Sequence, residues 1–412
     1  MAWMRFPSRT TSVSTRVGPI GTRRLMSIDK RVVVIGTADG TRSIARAKTP
    51  AIAPPCCTPG NHGPIADGCG MRRSPCGTKT ASLTRRRLSV AWTQGDAVGC
   101  SGVCHRLRMK VRIGYALGAV PSLYPQARRE LAGLGPVVDD LDRLGFDSLW
   151  FPERINSMQL DPIVAMAYVA GRSEHLKFGP AISVVPGRNP ILMAKMLASL
   201  DVVSGGRCLP AFGLGIANTA EHQAFQVDRK DRAPWLNEAV PLMRRLWEED
   251  VVDHEGERFS VVGARVLPKP IQRPLEVWFG GQAPSELRRT GRLADGWLAS
   301  FTTPRHVAEG IAAVEAAAAE AGRTFDRDHY GVLIPYIPPG LDFPAEALER
   351  VSVRRPDAAP DEVVATSHEA LHDMIDAYIE VGASKFVCFP FGEPDDWHAE
   401  LKHLAPILDK QT

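Results

Sequence analysis

The residues best placed to do chemistry lie at the ends of short apolar runs. Ser148-Leu-Trp-Phe-Pro-Glu153-Arg154 ends a β-like run on an acid beside a base. In a barrel, such a strand end faces the catalytic side; otherwise the pair is a helix-start acid and a solvated arginine. Val277-Trp-Phe-Gly280-Gly281 ends another run just before Pro284-Ser285-Glu286, which reads as a helix opening. A glycine pair there lets backbone N–H groups approach a phosphate while the helix dipole favours the anion, although it also suits a plain turn. His368 and His372 share a helix face at i, i+4, the spacing of an ordinary surface pair, with no HExxH and no clustered acids to make a metal site. Neither a Gly-x-Ser-x-Gly elbow nor a Walker loop occurs.

The elements that must position these residues alternate from Met109 onward. Eight β-branched or aromatic runs can be traced: 111–117, 148–151, 177–185, 209–214, 275–279, 296–300, 330–337 and 385–391. Amphipathic stretches separate them, with apolar residues recurring at spacings of three and four, as in Leu134, Val138, Leu141 and in Leu236, Val240, Met243, Trp247. Strands alternating with helices argue for a parallel sheet. Eight of them predict an α/β fold of the TIM (β/α)8 type, with insertions in the strand-to-helix loops at 216–234 and 338–366. The second insertion, with Arg354-Arg355-Pro356-Asp357, is the better candidate for a lid. An open doubly wound sheet is the runner-up, but Ile113-Gly114-Tyr115-Ala116-Leu117-Gly118 lacks the phosphate-loop spacing and the later acid.

Charge divides the chain unevenly. Residues 1–108 hold 18 Lys+Arg against four Asp and no Glu, so they carry +14 and the remainder −10 within an overall +4. Six of the eight cysteines (Cys56, Cys57, Cys69, Cys76, Cys100 and Cys104) fall in that segment without metal-ligand spacing, leaving Cys208 and Cys388 for the barrel. Beyond Arg31-Val-Val-Val-Ile-Gly the segment has no sustained pattern, so 1–108 is expected to be disordered, or to be read from a start placed upstream of Met109; a long transit peptide is a third reading. With no apolar run near the ~18 to 20 residues of a bilayer span, and no secretion signal, a soluble cytoplasmic enzyme is expected. The acidic body argues against nucleic-acid binding.

The chain from 109 to 412 also resembles a known family. Gly179-Pro-Ala-Ile-Ser183-Val184-Val185-Pro186-Gly187-Arg188-Asn189-Pro190, followed by Leu200-Asp201-Val-Val-Ser204-Gly205-Gly206-Arg207, is similar to the luciferase-like oxidoreductases. The similarity runs on through Ala211-Phe-Gly213-Leu-Gly215, Pro268-Lys-Pro270 and Leu293-Ala-Asp295-Gly296-Trp297. Pro190 suits a first helical turn, Gly205-Gly206 a left-handed helix stop, and Asp201 can satisfy neighbouring backbone donors.

The resemblance implies a barrel that binds a flavin or the deazaflavin coenzyme F420 across its strand ends. It implies a non-prolyl cis peptide in the third strand, matched here to Ser183–Val184, with Val185 beside it. Gly215 would permit close approach of the ring, Gly280-Gly281 would meet a phosphate, Arg188 and, less readily, Arg207 would receive the acidic tail, and Ser300 with Thr302 would contact ring or substrate. Glu153 and Arg154 become the catalytic candidates, in place of the aspartate–histidine pair of sugar-phosphate dehydrogenases in the family. The expected activity is F420-dependent hydride transfer to or from a small organic substrate. Its rivals are an FMN-dependent monooxygenase and a non-catalytic binding barrel. A homodimer would use the helices after the third and fourth strands.

Overall fold

The computed structural model describes residues 33–36, 42–45, 109–118, 133–216 and 219–412. The chain divides into two compact units, Met1–Ala97 and Val98–Thr412. In the first, β1 (Val33–Gly36) pairs antiparallel with β2 (Arg42–Ala45), so the one patterned stretch of that segment does form a strand. The remaining expectations for 1–108, on disorder and on its six cysteines, lie outside the described residues.

The second unit is a parallel barrel. Its strands are β3 (Arg112–Ala116), β4 (Ser148–Phe151), β5 (Lys177–Pro180), β6 (Ser183–Val184) and β7 (Ala211–Gly213), then, after a hairpin of β8 (Val252–Glu255) and β9 (Ser260–Ala264), β10 (Trp278–Gly280), β11 (Gly296–Ser300), β12 (Tyr330–Tyr336) and β13 (Lys385–Pro390). They lie in the order β5-β4-β3-β13-β12-β11-β10-β7-β6. Nine ladder members make eight barrel strands, because β5 and β6 are two halves of one broken strand: β5 pairs with β4, β6 pairs with β7, and a parallel bridge from Phe178 to Cys208 closes the ring. Each of the eight runs seen in the sequence falls on one barrel strand, the run 177–185 holding both halves of the broken one and β10 extending one residue past the run 275–279.

Side chains alternate across the strand ring with the period of two that a pleat imposes. Ala116, Trp150, Leu209, Ala211, Trp278, Leu298, Leu333 and Val387 fill the barrel interior. Ile113, Leu149, Phe178, Phe212, Phe279, Val332 and Phe386 face the other way, into a layer shared with the helices. These helices are α1 (Leu134–Leu144), α2 (Pro162–Arg172), α3 (Pro190–Ser204), α4 (Thr219–Phe225), α5 (Arg229–Glu248), α6 (Pro284–Leu293), α7 (Pro304–Glu320), α8 (Ala345–Arg354), α9 (His368–Glu380) and α10 (Trp397–Leu404). Among the described residues no helix is long and apolar enough to cross a membrane.

Helix α3 starts and stops as its residues dictate. Asn189 caps it through Oδ1, accepting from the N–H groups of Ile191 and Leu192; Pro190 takes the first turn, and Gly205 ends it at φ +71°. Asp201 does satisfy backbone donors, though distant ones in sequence: its carboxylate accepts from Ile271 N (2.6 Å), Gln272 N (3.0 Å) and Gln272 Nε2 (2.6 Å). The insertion at 216–234 contains α4 and the first turns of α5, and that at 338–366 contains α8. The β8–β9 hairpin was not foreseen. It is held by Glu238, whose carboxylate accepts from Arg258 N, Phe259 N and His254 Nε2.

The N-terminal end of the barrel is closed by charge. Lys385, 2% exposed, is ion-paired with Asp147 and lies 6.0 Å from the ring centroids of both Trp150 and Trp278. Lys177 reaches the other oxygen of Asp147 at 3.0 Å.

Candidate active site at the C-terminal mouth

The break in the third strand organises the site. Between Pro180 and Ser183 the strand leaves β4 and takes up β7, and the non-prolyl cis peptide falls in that gap, at Ala181–Ile182. This corrects the expectation of Ser183–Val184. Ser183 and Val184 are already in register with Phe212 and Gly213, so their backbone is ordinary extended strand. Ile182 points its side chain at two glycines. A Cβ on Gly280 would stand 2.6 Å from Ile182 Cδ1, and one on Gly213 would overlap it. Gly280 is therefore glycine because an isoleucine from another strand occupies its side-chain space.

Glu153 locks this break rather than projecting into the mouth. It is 7% exposed; one oxygen accepts the Val184 N–H at 2.6 Å and the other pairs with Arg188 Nη2. Burial, helped by the nearby charges of Asp161 and Glu221, raises its pKa, while Arg188 and the Val184 N–H pull the other way. Arg188, expected to receive an acidic tail, is thus drawn inward. It stacks on Phe225, 5.8 Å from its centroid, and its carbonyl accepts from Trp235 Nε1. Val185 is fully buried and its N–H donates to the Gly213 carbonyl, so it belongs to the packing. Arg154 forms an ion pair with Glu221 at 3.5 Å.

Gly215, at φ +80°, lies against Val184 and Arg232. The amides after the glycine pair are engaged: the N–H groups of Gln282 and Ala283 both donate to Glu286 Oε2 at 3.0 Å, and Gly281 itself, at φ +99°, packs on that carboxylate. The expected phosphate cradle thus exists as geometry, filled by the protein's own anion. Arg207 is a structural cap, donating to the carbonyls of Ala170, Leu176 and Ser204 and to Ser173 Oγ, and takes no part in the mouth. His368 is not a surface residue either. Its half-buried Nε2 meets Glu400 Oε1 at 2.8 Å, and that carboxylate also accepts from Tyr336, whose hydroxyl lies 2.8 Å from that of Tyr115, with Glu400 and both tyrosines buried between strands and helices.

Buried polar atoms without a partner lie at three neighbouring strand ends, Arg232 Nη2 beside the end of β7, Gln282 Oε1 after β10 and Thr302 Oγ1 after β11, while a fourth, Ser183 Oγ on β6, shares the helix-facing side of its register partner Phe212. Buried polar atoms normally find partners, and an orphan costs about 1–3 kcal/mol. Ser300, at the end of β11, contributes its carbonyl to Gln282 Nε2. Arg232, Gln282 and Glu286 escaped the sequence reading because their roles depend on strands far away in the chain.

Over the opposite side of the mouth lies α8. Its Val351 is buried in a cluster with Phe301, Ile337, Val363, Val364 and Phe391. Phe301, the residue after β11, sits at φ +51°, a conformation uncommon outside glycine. Arg354 lies over its ring at 4.6 Å from the centroid, and Arg350 over that of Phe391 at 5.8 Å.

A barrel whose third strand breaks at the mouth, with unpartnered polar groups clustered on its strand ends, is the setting in which sequence comparison can be read. The profile of the luciferase-like monooxygenases matches residues 111–376, and the chain belongs to that family. Among curated relatives, a 5,10-methylenetetrahydromethanopterin reductase of Archaeoglobus fulgidus is 27% identical over 182 residues, 44% of this chain and 53% of its own length. An F420-dependent glucose-6-phosphate dehydrogenase of Amycolatopsis mediterranei is 25% identical over 212 residues, 46% of this chain and 63% of its own. The chain thus spans about half to two thirds of these relatives. Among solved structures, an F420-dependent secondary alcohol dehydrogenase bound to an F420-acetone adduct superposes with TM-score 0.60 at 22% identity, covering 73% of this chain and 99% of that one. The oxygenating constituent of a Pseudomonas putida diketocamphane monooxygenase, bound to FMN, gives 0.55 at 18%, covering 74% and 98%. Both share the barrel.

Proposed function

We propose that this chain is an F420-dependent oxidoreductase that moves a hydride between the deazaflavin coenzyme and a small organic substrate. The observation that carries the reading is the set of orphaned polar atoms at three adjacent strand ends, Arg232 Nη2 from α5 beside β7, Gln282 Oε1 after β10 and Thr302 Oγ1 after β11, which a ring with donors and acceptors on its edge would satisfy. When bound, the coenzyme supplies a carbon centre that gives or takes hydride and reacts poorly with oxygen. The protein supplies position and charge. Glu153, through Val184 and Arg188, fixes the strand break; Arg154, paired with Glu221, lies at the end of β4; Ile182, wedged between Gly213 and Gly280, sets the floor. F420-dependence is named both for a curated relative and for a superposed structure, which favours it over FMN.

Titration of the purified full-length protein with F420 and with FMN, followed by absorbance and fluorescence, tests this. Tight F420 binding, with FMN at least tenfold weaker, supports the proposal. Tight FMN binding with F420 ignored transfers the chain to the monooxygenases, and F420 binding without reduction of any acceptor makes it a binding barrel. We further propose that two copies pair through α3, the helix after the third strand, joined by α2 rather than by the helices after the fourth strand that the sequence suggested. Leu192, Met196 and Val203, 64%, 38% and 69% exposed, form one stripe on α3 beside Val164, 62% exposed on α2. The described cysteines, Cys208 and Cys388, are free and buried, which suits a reducing cytoplasm.

A further inference from the structure

The end of β13 climbs through three environments with the period of two that a strand imposes. Val387 packs in the barrel interior, Phe391 in the cluster under α8, and Phe389, between them, packs against both. Val387 and Phe391 are buried, whereas Phe389 is only half-buried. It shares the top of the interior with two other half-buried apolar residues, Ala181 and Ile182, from the strand break.

The Phe389 ring reaches over the end of β3. A Cβ on Gly118 would stand 2.8 Å from its Cε2 and 2.9 Å from its Cζ. Gly118 is outside the left-handed region, so its missing side chain serves the ring rather than the backbone. Ile182 uses Gly213 and Gly280 in the same way from another part of the ring of strands. A half-buried phenylalanine on an outer surface needs no explanation. This one stands on the interior-facing register of β13, at the mouth, beside further aromatic rings: Phe391 at 5.7 Å, and Phe301 at 5.8 Å from Phe391. Arg350 and Arg354 cover the two rings under α8, and among the described residues no cation lies over Phe389. The mouth is thus divided. Its orphaned polar atoms lie by β7, β10 and β11, and its open apolar surface lies by β13 and β3.

We propose that Phe389 is a specificity-determining residue of the substrate site, against which an aromatic group beside the reacting carbon packs. The substrate class is therefore an aryl-substituted alcohol or ketone. A sugar or polyol in the same place would lose water from its hydroxyls without gaining partners, whereas a ring gains edge or offset contact beyond its burial. This rests on the mouth being the active site, as proposed above. The same ring could instead pack on the coenzyme's own ring system.

Two arms separate these sources. In the first, apo full-length protein is titrated with acetophenone and with dihydroxyacetone, followed by saturation-transfer NMR. Wild type should bind acetophenone about tenfold tighter than dihydroxyacetone; F389A should lose about tenfold on acetophenone and F389L less. G118A, whose added methyl displaces the ring without removing it, should also weaken acetophenone, and it decides with F389L if F389A does not fold. Acetophenone affinity unchanged in the variants, equal binding of the two ketones, or no binding by wild type overturns the proposal. In the second arm, F420 is titrated into wild type and F389A by fluorescence. An F420 affinity within about threefold of wild type assigns the contact to the substrate, and a larger loss overturns that assignment in favour of the coenzyme. Wild-type protein that binds no F420 would sink the proposed function, with the acetophenone arm still deciding the role of Phe389.

Discussion

Asp147→Asn tests whether the closed end of the barrel is held by charge. Lys385 is 2% exposed, and burial lowers its pKa to about 8 even with Asp147 beside it. Asp147 is held far below the usual carboxylate range by Lys385 and Lys177, against the opposing effect of burial. Removing one partner of a buried pair costs about 3–5 kcal/mol, because the other charge is left without compensation. The signs with pH are distinct. The depressed carboxyl contributes stability above pH ~4 that is lost as pH falls and Asp147 protonates. The depressed ammonium carries a penalty below about pH 8 that disappears as pH rises toward ~10.4, the ordinary lysine value. D147N should therefore lose about 3–5 kcal/mol at pH 7, less at pH 9, where Lys385 can shed its proton. It should also lack the part of the wild-type acid transition that belongs to Asp147. Urea unfolding followed by tryptophan fluorescence from pH ~2 to 9 measures this. The double variant D147L/K385M, which replaces the pair by apolar groups, should recover to within about 1 kcal/mol of wild type. A D147N protein within about 1 kcal/mol of wild type at pH 7, or a double variant no better than the single, would refute the reasoning.

Gly280→Ala should force Ile182 aside at a cost of about 1–3 kcal/mol and weaken coenzyme binding, and I182V should restore part of both; unfolding and ligand titrations on the pair report it. Glu153→Gln removes the carboxylate charge that pairs with Arg188 and leaves a single acceptor oxygen for Val184 N–H and Arg188, for a loss of about 2–4 kcal/mol and a coenzyme affinity at least tenfold lower by fluorescence titration. L192E/V203E should leave unfolding unchanged and convert the protein to a monomer by sedimentation; a wild type already monomeric at micromolar concentration rejects the pairing face.

The scaffold was more legible than the site, for a physical reason. Strand runs and helix stops are local: Asn189, Pro190 and Gly205 set the limits of α3 through contacts within a turn. The hairpin at 252–264 lies outside the strand-helix alternation, and its two short strands are held by Glu238 from α5 rather than by a local pattern. The roles of the site residues are set by partners from other strands. Glu153 reads as a free acid until Val184 and Arg188 are seen to use both oxygens. The glycine pair reads as an open phosphate cradle until Glu286 is found on the following amides. The strand break misled by two residues because the motif fixes the neighbourhood, while the change of neighbour from β4 to β7 fixes the bond.

The barrel's last residues return to its first strand. Thr412 Oγ1 accepts the Val111 N–H at 2.9 Å and donates to the Met109 carbonyl at 3.1 Å, and Gln411 Oε1 accepts the Ile113 N–H at 3.0 Å. Among the described residues of this unit, 109 and 412 thus lie side by side. A short linker from residue 412 to 109 would let new ends be opened at an exposed turn such as Gly322, far from the strand break, without changing a barrel contact. By the same geometry, a tag fused directly to Thr412 would pull on the edge of β3, so a fusion partner belongs on a permuted end.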